Sequence, residues 1–280
     1  MTFHVLTFVK IYFVSIAAGT IGSLLGLGGG IIVIPVLASV MGFPIRQVIG
    51  ASLISVIATS SGSAVAYVRD RLTNLRVAMF LELATTSGAL AGAWLSLFMP
   101  ARLLFVLFGV LVVYSAGAMY RRRHREGASP VPDSAWARRL KLEGVYHDES
   151  TGQTVPYRAG RLVPGFLIMW WAGAVSGILG IGSGIFKVVG MDLVMGLPIK
   201  ISSATSNFMM GVTAAAGAGV HFAHGDIDPS LAGGVALGVL TGALIGSKLL
   251  PKLRDTAVRR LFIPVLLVMG IQMIYKGLHR

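Results

Sequence analysis

The chain has 280 residues, of which 55% are hydrophobic and 12% are charged, and its formal net charge is +13. A mean hydropathy of +0.78 excludes an ordinary soluble protein, and the absence of cysteine excludes disulfides, thiolate catalysis and cysteine metal sites. Most of the apolar runs approach the ~20 residues that a membrane-spanning helix needs. After a first run over 11–41 they cover 47–66, 77–99, 103–119, 164–195, 201–220, 231–247 and 261–275. This pattern predicts an all-α polytopic membrane protein with seven or eight hydrophobic segments, or more if a broken segment counts as two.

The first apolar run contains a glycine-rich stretch, GLGGGIIVIP, at 26–35. Residues 1–18 have the apolarity of a signal peptide, but Lys10 is their only Lys or Arg and no small-residue cleavage pattern follows, so we expect them to be retained. Closely spaced glycines oppose a continuous helix. We therefore expect this run to enter the membrane and return as a hairpin.

Most of the positive charge lies between the apolar runs, in RDRLTNLR (69–76), RRRHR (121–125) and PKLRDTAVRR (251–260). This placement is typical of orientation by the positive-inside rule, and it argues against nucleic acid as a partner. Residues 121–160 are polar, and their last part, KLEGVYHDESTGQTVPYR, alternates around a turn at 149–152. We interpret 121–160 as a cytoplasmic linker that contains a small hairpin or loop.

The chain repeats itself with an offset of 154 residues. Gly28 and Gly30 match Gly182 and Gly184, SGALAGAWL (87–95) matches TGALIGSKL (241–249), and further matches pair Gly19 with Gly173, Gly26 with Gly180, Pro44 with Pro198 and Ser52 with Ser206. The sequence thus predicts two homologous halves, 1–120 and 161–280. Because equivalent loops carry different charge, we expect inverted repeats whose glycine-broken first segments do not cross the membrane.

The two glycine-broken stretches are candidate binding sites. A backbone freed by glycine cannot face lipid, and the helices that start at Ile31 and Ile185 would point their N-terminal amides into the membrane interior, where they favour an anion. We assign Gly28, Gly29, Gly30, Gly182, Ser183 and Gly184 to this site. In contrast, Gly88, Gly92, Gly242 and Gly246 are interpreted as helix-packing residues.

The segments GILGIGSGIFKVVGMDLVMGLPIKISSATSNFMMGVTAAAGA (177–218) and GSLLGLGGGIIVIPVL (22–37) resemble the TauE/SafE family of sulfite exporters and anion permeases. The G-x-G-x-G, L-P-x-K and A-T-S-N-F elements carry the resemblance, which extends over both halves. It implies a multi-pass transporter of the bacterial inner membrane for sulfite, sulfonates or related small anions. The chain departs from the family's glycine triplet at Ser183.

Further polar residues could complete the site. Lys187 is an ionisable residue in a membrane run and could hold an anion, pair with an acidic neighbour such as Asp192, or extend toward the membrane surface. Hydroxyl and amide donors come from Ser52, Thr205, Ser206 and Asn207, which could equally bond neighbouring helices. Glu82 and His221 are candidates for proton transfer or gating. Arg46 and Lys200 are matched cations expected at the membrane surface.

The sequence favours a transporter that works by alternating access, with a small anion and the bilayer as partners, no cofactor and no metal. A passive anion channel is the alternative. An intramembrane serine hydrolase with Ser183 as nucleophile and His221 as base is less favoured, because the strand-turn-helix elbow is missing. The membrane potential alone could drive a divalent anion outward.

Overall fold

The computed structural model describes residues 5–25, 28–96, 98–121, 135–148, 151–253 and 255–278, and it is 79% helical. The helices are α1 (Val5–Leu25), α2 (Gly30–Pro35), α3 (Ile45–Arg69), α4 (Leu75–Ser96), α5 (Ala101–Arg121), α6 (Ala135–Arg139), α7 (Leu162–Leu179), α8 (Gly184–Val189), α9 (Ile199–Ala223), α10 (Pro229–Leu249) and α11 (Asp255–Leu278). A π turn prolongs α2 over 36–40 and α8 over 190–194. By length and composition, five of the described helices could cross a membrane, namely α1, α3, α4, α7 and α10.

The fold is not purely α-helical, because the linker forms a β-hairpin. Strands β1 (Glu143–Asp148) and β2 (Gln153–Arg158) pair antiparallel, with Asp148 opposite Gln153. Of the two interpretations of the alternating pattern, a small hairpin or a loop, the structure has the hairpin, although 149–150 of its turn and 122–134 of the linker lie outside the described residues. Tyr157 of β2 is buried, and this burial raises the pKa of its phenol even though Asn74 donates a hydrogen bond to it.

The helix bounds follow the 154-residue offset of the sequence. Helix α8 covers 184–189 where α2 covers 30–35, and α9 covers 199–223 where α3 covers 45–69. The starts of α4 and α10 are also equivalent, because Asn74 Oδ1 accepts a hydrogen bond from Val77 N at 3.0 Å and Asp228 Oδ1 accepts one from Ser230 N at 2.8 Å. Side-chain caps of this kind satisfy amides that the first helical turn leaves unpaired.

Helices of one half pack against helices of the other. Helix α1 lies on α10 and α7 lies on α4, and glycines bring each pair into backbone contact. A Cβ on Gly173 of α7 would collide with the carbonyl oxygen of Thr85, and one on Gly19 of α1 would collide with that of Val239. Gly88, Gly92, Gly242 and Gly246 are equally crowded by the facing backbone. These contacts support the packing role predicted for the four α4 and α10 glycines.

Helices α3 and α9 meet at the centre of the bundle and run antiparallel. A Cβ on Gly217 would lie 3.5 Å from Leu53 Cδ2, whereas one on Gly211 would lie 2.7 Å from Ser60 Oγ, so the later residue of α3 meets the earlier residue of α9. Helix α3 instead runs parallel to α10, since Gly50 faces the Asp226 carbonyl just before α10 and Gly62 faces Ala243.

These directions define two ends of the bundle. The end of α3, the start of α4, the start of α9 and the end of α10 lie at the end that carries the β-hairpin, where Arg76 donates to the Lys141 carbonyl at 3.5 Å. We call this the hairpin end and the other the opposite end. Both basic clusters next to described helices, around 69–76 and 248–253, therefore share the hairpin end.

Candidate functional site

The two glycine-broken stretches meet in the middle of the bundle. Gly28 and Gly182 both have left-handed backbones, with φ of +69° and +71°. A Cβ on Gly28 would lie 3.0 Å from Val56 and 3.3 Å from Met210, and one on Gly182 would lie 2.5 Å from Val56 and 3.4 Å from Met210. Val56 and Met210 occupy the central turns of α3 and α9. The helical runs 30–40 and 184–194 therefore begin near the middle of the bundle.

Each position in the breaks is closely surrounded. A Cβ on Gly29 would lie 2.6 Å from Val239 Cγ1, and one on Gly30 would collide with the Ser52 hydroxyl. Ser52 Oγ donates a 2.8 Å hydrogen bond to the carbonyl of Gly180, so it links α3 to the break of the other half. Ser52 therefore helps to hold the two breaks together. Gly26, the first glycine of the motif, lies outside the described residues.

The second break presents polar atoms to its own interior. Ser183 has a φ of +55°, is 1% exposed, and among the described residues its Oγ has no hydrogen-bond partner. Ser206 Oγ lies 3.4 Å from the carbonyl oxygen of Gly184. Asn207 Nδ2 donates to the carbonyl of Ser23 at 2.7 Å, while its buried Oδ1 is unpaired within the described part of the chain. Ser206 thus joins the second break to α9, and Asn207 joins α9 to the end of α1.

Thr205 has a different position from the one its sequence neighbours suggest. Its Oγ1 accepts a 3.1 Å hydrogen bond from the backbone N–H of Asn74, at the start of α4. The structure thus brings Ser206 and Asn207 to the breaks but directs Thr205 toward the hairpin end. A helix places successive residues about 100° apart, so neighbours in sequence need not share a face.

Lys187 forms a buried charged cluster with residues of α4 and α9. Its side chain is fully buried, its Nζ donates to Thr213 Oγ1, and it lies 4.0 Å from Glu82 Oε2. Thr213 Oγ1 is also 2.7 Å from Glu82 Oε1, which accepts a 2.8 Å bond from Thr86. The acidic neighbour of Lys187 is therefore Glu82 rather than Asp192. The two residues singled out separately in the sequence belong to one cluster.

This charged cluster has no counterpart in the other half. At the equivalent positions stand Val33, Thr59 and Ala236. Thr59 corresponds to Thr213, and its Oγ1 accepts a hydrogen bond from the Gly29 amide at 3.3 Å. Each half thus has a threonine near the breaks, Thr59 or Thr213, but only in the second case does a charged pair contact it. Thr213 was missed in the sequence, although its register with Thr59 in the repeat could have indicated it.

A cavity of about 70 Å³ extends from the opposite end toward the second break. Arg46, His221 and Asp226 line its outer part, and Leu179 and Ile181 line the part beside the glycines. His221 Nδ1 lies 3.2 Å from Asp226 Oδ2. Because about 10–15 Å³ of such space holds one water molecule, the cavity could accept a few waters or a small ion. His221 therefore lies at the mouth of this cavity, and Ser183 shows no bond to it or to any other described base.

The equivalent route at the hairpin end is closed. Tyr67, which corresponds to His221, is fully buried, and its hydroxyl is 3.1 Å from Ser23 Oγ. Lys200, which corresponds to Arg46, is 1% exposed and donates a 2.8 Å hydrogen bond to Asp148 of β1. Lys200 thus lies at the hairpin end of the bundle but is not exposed there, because the hairpin covers it. Arg46 is exposed, as expected.

Comparison with known proteins identifies the family. Residues 11–273 match the family model described as "Sulfite exporter TauE/SafE", so the chain belongs to this family. It is 26% identical to the probable membrane transporter protein YunE of Bacillus subtilis (strain 168), over 98% of this chain and 99% of the relative. It is 28% identical to the probable membrane transporter protein YdhB of the same organism, over 84% and 88%. The probable membrane transporter protein ORF9 of Sinorhizobium sp is 25% identical over 100% and 96%. No solved structure matches.

Proposed function

We propose that this membrane transporter of the TauE/SafE family exports sulfite or a related small sulfur-containing anion across the bacterial inner membrane by alternating access. The observation that carries the proposal is the meeting of the two glycine breaks between the midpoints of α3 and α9. In transporters, matched interruptions of two halves at mid-membrane indicate the substrate site.

In this proposal the two halves, 1–120 and 161–280, are inverted repeats. The antiparallel register of α3 against α9 supports an inverted relation. Since α2 starts near mid-height and its run ends at 40, just before α3 begins at the opposite end, α1 and the run 30–40 together form a re-entrant hairpin. Three helices per half then cross completely. The basic clusters at the hairpin end support a cytoplasmic position for that end.

The anion binds at the breaks because positive potential converges there. The first amides of a helical run have no partner within the helix, and its dipole favours negative charge at this end. The runs 30–40 and 184–194 both start at this point. The Ser183 hydroxyl, buried and unpaired among the described atoms, supplies a donor, and Lys187 adds a full positive charge one turn away. A small oxyanion would thereby replace its water shell with amide and hydroxyl donors.

The packing also indicates which units move. Because α1 lies on α10 and α7 lies on α4, neither half forms a separate body. The units that rock are instead mixed bundles, with α1, α3 and α10 in one and α4, α7 and α9 in the other. In this proposal the small cavity lined by Arg46 and His221 belongs to the route at the opposite end, while the buried side chains of Tyr67 and Lys200 block the equivalent route at the hairpin end.

Transport by proteoliposomes that contain the full-length protein tests this function. The flux of sulfite, sulfate, thiosulfate, taurine and sulfoacetate is measured for the wild type and for Gly30→Val and Gly184→Val. We expect saturable flux of one of these anions in the wild type and loss of flux in both variants, because a side chain at Gly30 collides with Ser52. Gly219→Val is the control, since a Cβ there meets nothing within 4 Å. Unchanged flux in both site variants would mean that Gly30 and Gly184 serve only helix packing and do not form the substrate site.

A further inference from the structure

We infer that Glu82 is a proton-binding site coupled to the anion site, with Lys187 shared between the two. The inference rests on the proposed anion transport and adds its coupling ion. In the described conformation Lys187 Nζ lies 4.0 Å from Glu82 Oε2, and Thr213 contacts both side chains. An anion that enters the breaks draws Lys187 toward itself, and Glu82 then loses its counter-charge.

The surroundings of Glu82 make proton uptake the consequence of that loss. Its Oε2 is buried, without a hydrogen-bond partner among the described residues, and an unpaired carboxylate inside a membrane protein is costly. Helix α7, which packs on α4, has no titratable side chain over 162–179, and the nearest turns of α9 offer only the hydroxyl of Thr213. On α9 the titratable groups are Lys200 and His221, near its two ends, and on α8 only Lys187. Without Lys187, the carboxylate is neutralised by binding a proton from water.

Comparison of the two halves indicates that the fold does not require the Lys187–Glu82 pair. The other half builds the same helix bounds with Val33 in place of Lys187 and Ala236 in place of Glu82. A buried ion pair is often no more stabilising than apolar residues of similar volume. The pair is therefore available for a process in which its two members separate. The anion and the proton bind together and move in the same direction, so a divalent anion travels with one net negative charge fewer.

Proton uptake during anion binding provides the test. Calorimetry of the purified full-length protein with sulfite and with sulfoacetate is repeated at pH 7 in buffers of different ionisation enthalpy, which gives the number of protons bound per anion. The same titration is carried out with Glu82→Gln. Subtracting its proton count from that of the wild type corrects for the protons that sulfite itself exchanges. We expect the wild type to take up about one proton more per bound anion than Glu82→Gln, because Glu82 binds that proton when Lys187 turns toward the anion.

Two further variants keep the test decisive. Glu143→Gln, which alters an exposed carboxylate paired with Arg158, is expected to retain the proton uptake of the wild type. The double variant Lys187→Val/Glu82→Ala copies the other half, and we expect it to fold and to bind anions weakly with no additional proton. Anion binding with equal proton uptake in the wild type and Glu82→Gln overturns the inference. Absence of anion binding by the wild type overturns the proposed function instead.

Discussion

Residues 49 and 203 are equivalent in the repeat and both are buried, but only residue 49 borders a cavity. Ile49 lines the cavity at the opposite end, whereas Ser203 is fully buried beneath the hairpin end. Because the chain has no cysteine, Ile49→Cys and Ser203→Cys each provide a single thiol. We expect a small membrane-impermeant thiol reagent to label Ile49→Cys from the periplasmic side, since loss of the Ile49 side chain enlarges the cavity, and to label Ser203→Cys more slowly from either side.

The hairpin is expected to control the reactivity of Ser203→Cys. Lys200 Nζ and Asp148 Oδ1 are 2.8 Å apart and both side chains are buried. A hydrogen bond to a charged group contributes about 1.5–3 kcal/mol. If this bond exists only when the hairpin end is closed, Asp148→Asn shifts the equilibrium toward the cytoplasm-open form by a factor on the order of 10–100. The labelling rate of Ser203→Cys should rise by a similar factor from the cytoplasmic side.

A matched control lies on the same hairpin. Glu143 pairs with Arg158 at 2.8 Å, but both side chains are exposed, and exposed pairs contribute little. Glu143→Gln should therefore leave labelling unchanged. The reasoning is refuted if Asp148→Asn and Glu143→Gln give the same labelling rate, or if Ser203→Cys without a second change reacts as fast as Ile49→Cys.

Three more predictions follow from the packing, the topology and the charge of the substrate. Gly177→Ala should lower stability by about 1–3 kcal/mol through overpacking, because its Cβ would collide with the Ala89 carbonyl, while Gly219→Ala should not, since its Cβ meets open space; thermal unfolding in detergent measures both. Reporter fusions at Arg125 and Arg280, which lie outside the described residues, should place the linker in the cytoplasm and the C-terminus in the periplasm, and finding both on one side would exclude inverted repeats. In proteoliposomes with equal pH on both sides, a potential clamped with valinomycin should set the gradient of a divalent anion in the wild type, because one net negative charge still crosses with each anion and proton, with roughly 2.3 kcal/mol per charge per 100 mV; flux of a divalent anion that ignores the clamp would contradict this.

The sequence predicted the features that depend on local backbone conformation and on the internal repeat. The glycine breaks and the 154-residue offset predicted where the helices stop and restart. Glycine adopts the left-handed backbone seen at Gly28 and Gly182 more readily than other residue types do. The hairpin at 143–158 was also predicted, because its alternation around a turn is a local property. The glycine breaks and the hairpin can each be recognised within about twenty residues of chain, whereas the offset requires comparison of the two halves.

Contacts between distant helices could not be predicted in the same way. Glu82 meets Lys187 across α4 and α8, which are separated by more than 100 residues, and no periodicity relates them. Lys200 was expected at the surface because its match, Arg46, follows the same Gly-x-Pro motif. The hairpin that buries Lys200 belongs to the linker, which has no counterpart in the repeat. The family match, by contrast, confirmed what the glycine, L-P-x-K and A-T-S-N-F elements had indicated.

The differences between the halves are the positions at which the two sides of the protein can treat the substrate differently. A transporter whose two halves were identical would present the same energy barrier to substrate from both sides. Here Tyr67 replaces His221, Val33 replaces Lys187, and the hairpin covers Lys200 but not Arg46. In the proposed mechanism each difference acts on a separate step: the hairpin on closure at the hairpin end, the Lys187 cluster on anion and proton binding, and His221 with Asp226 on the mouth of the cavity at the opposite end. Exchange of residues between equivalent positions therefore tests these steps one at a time, within a scaffold that the other half shows to be tolerant of the incoming side chain.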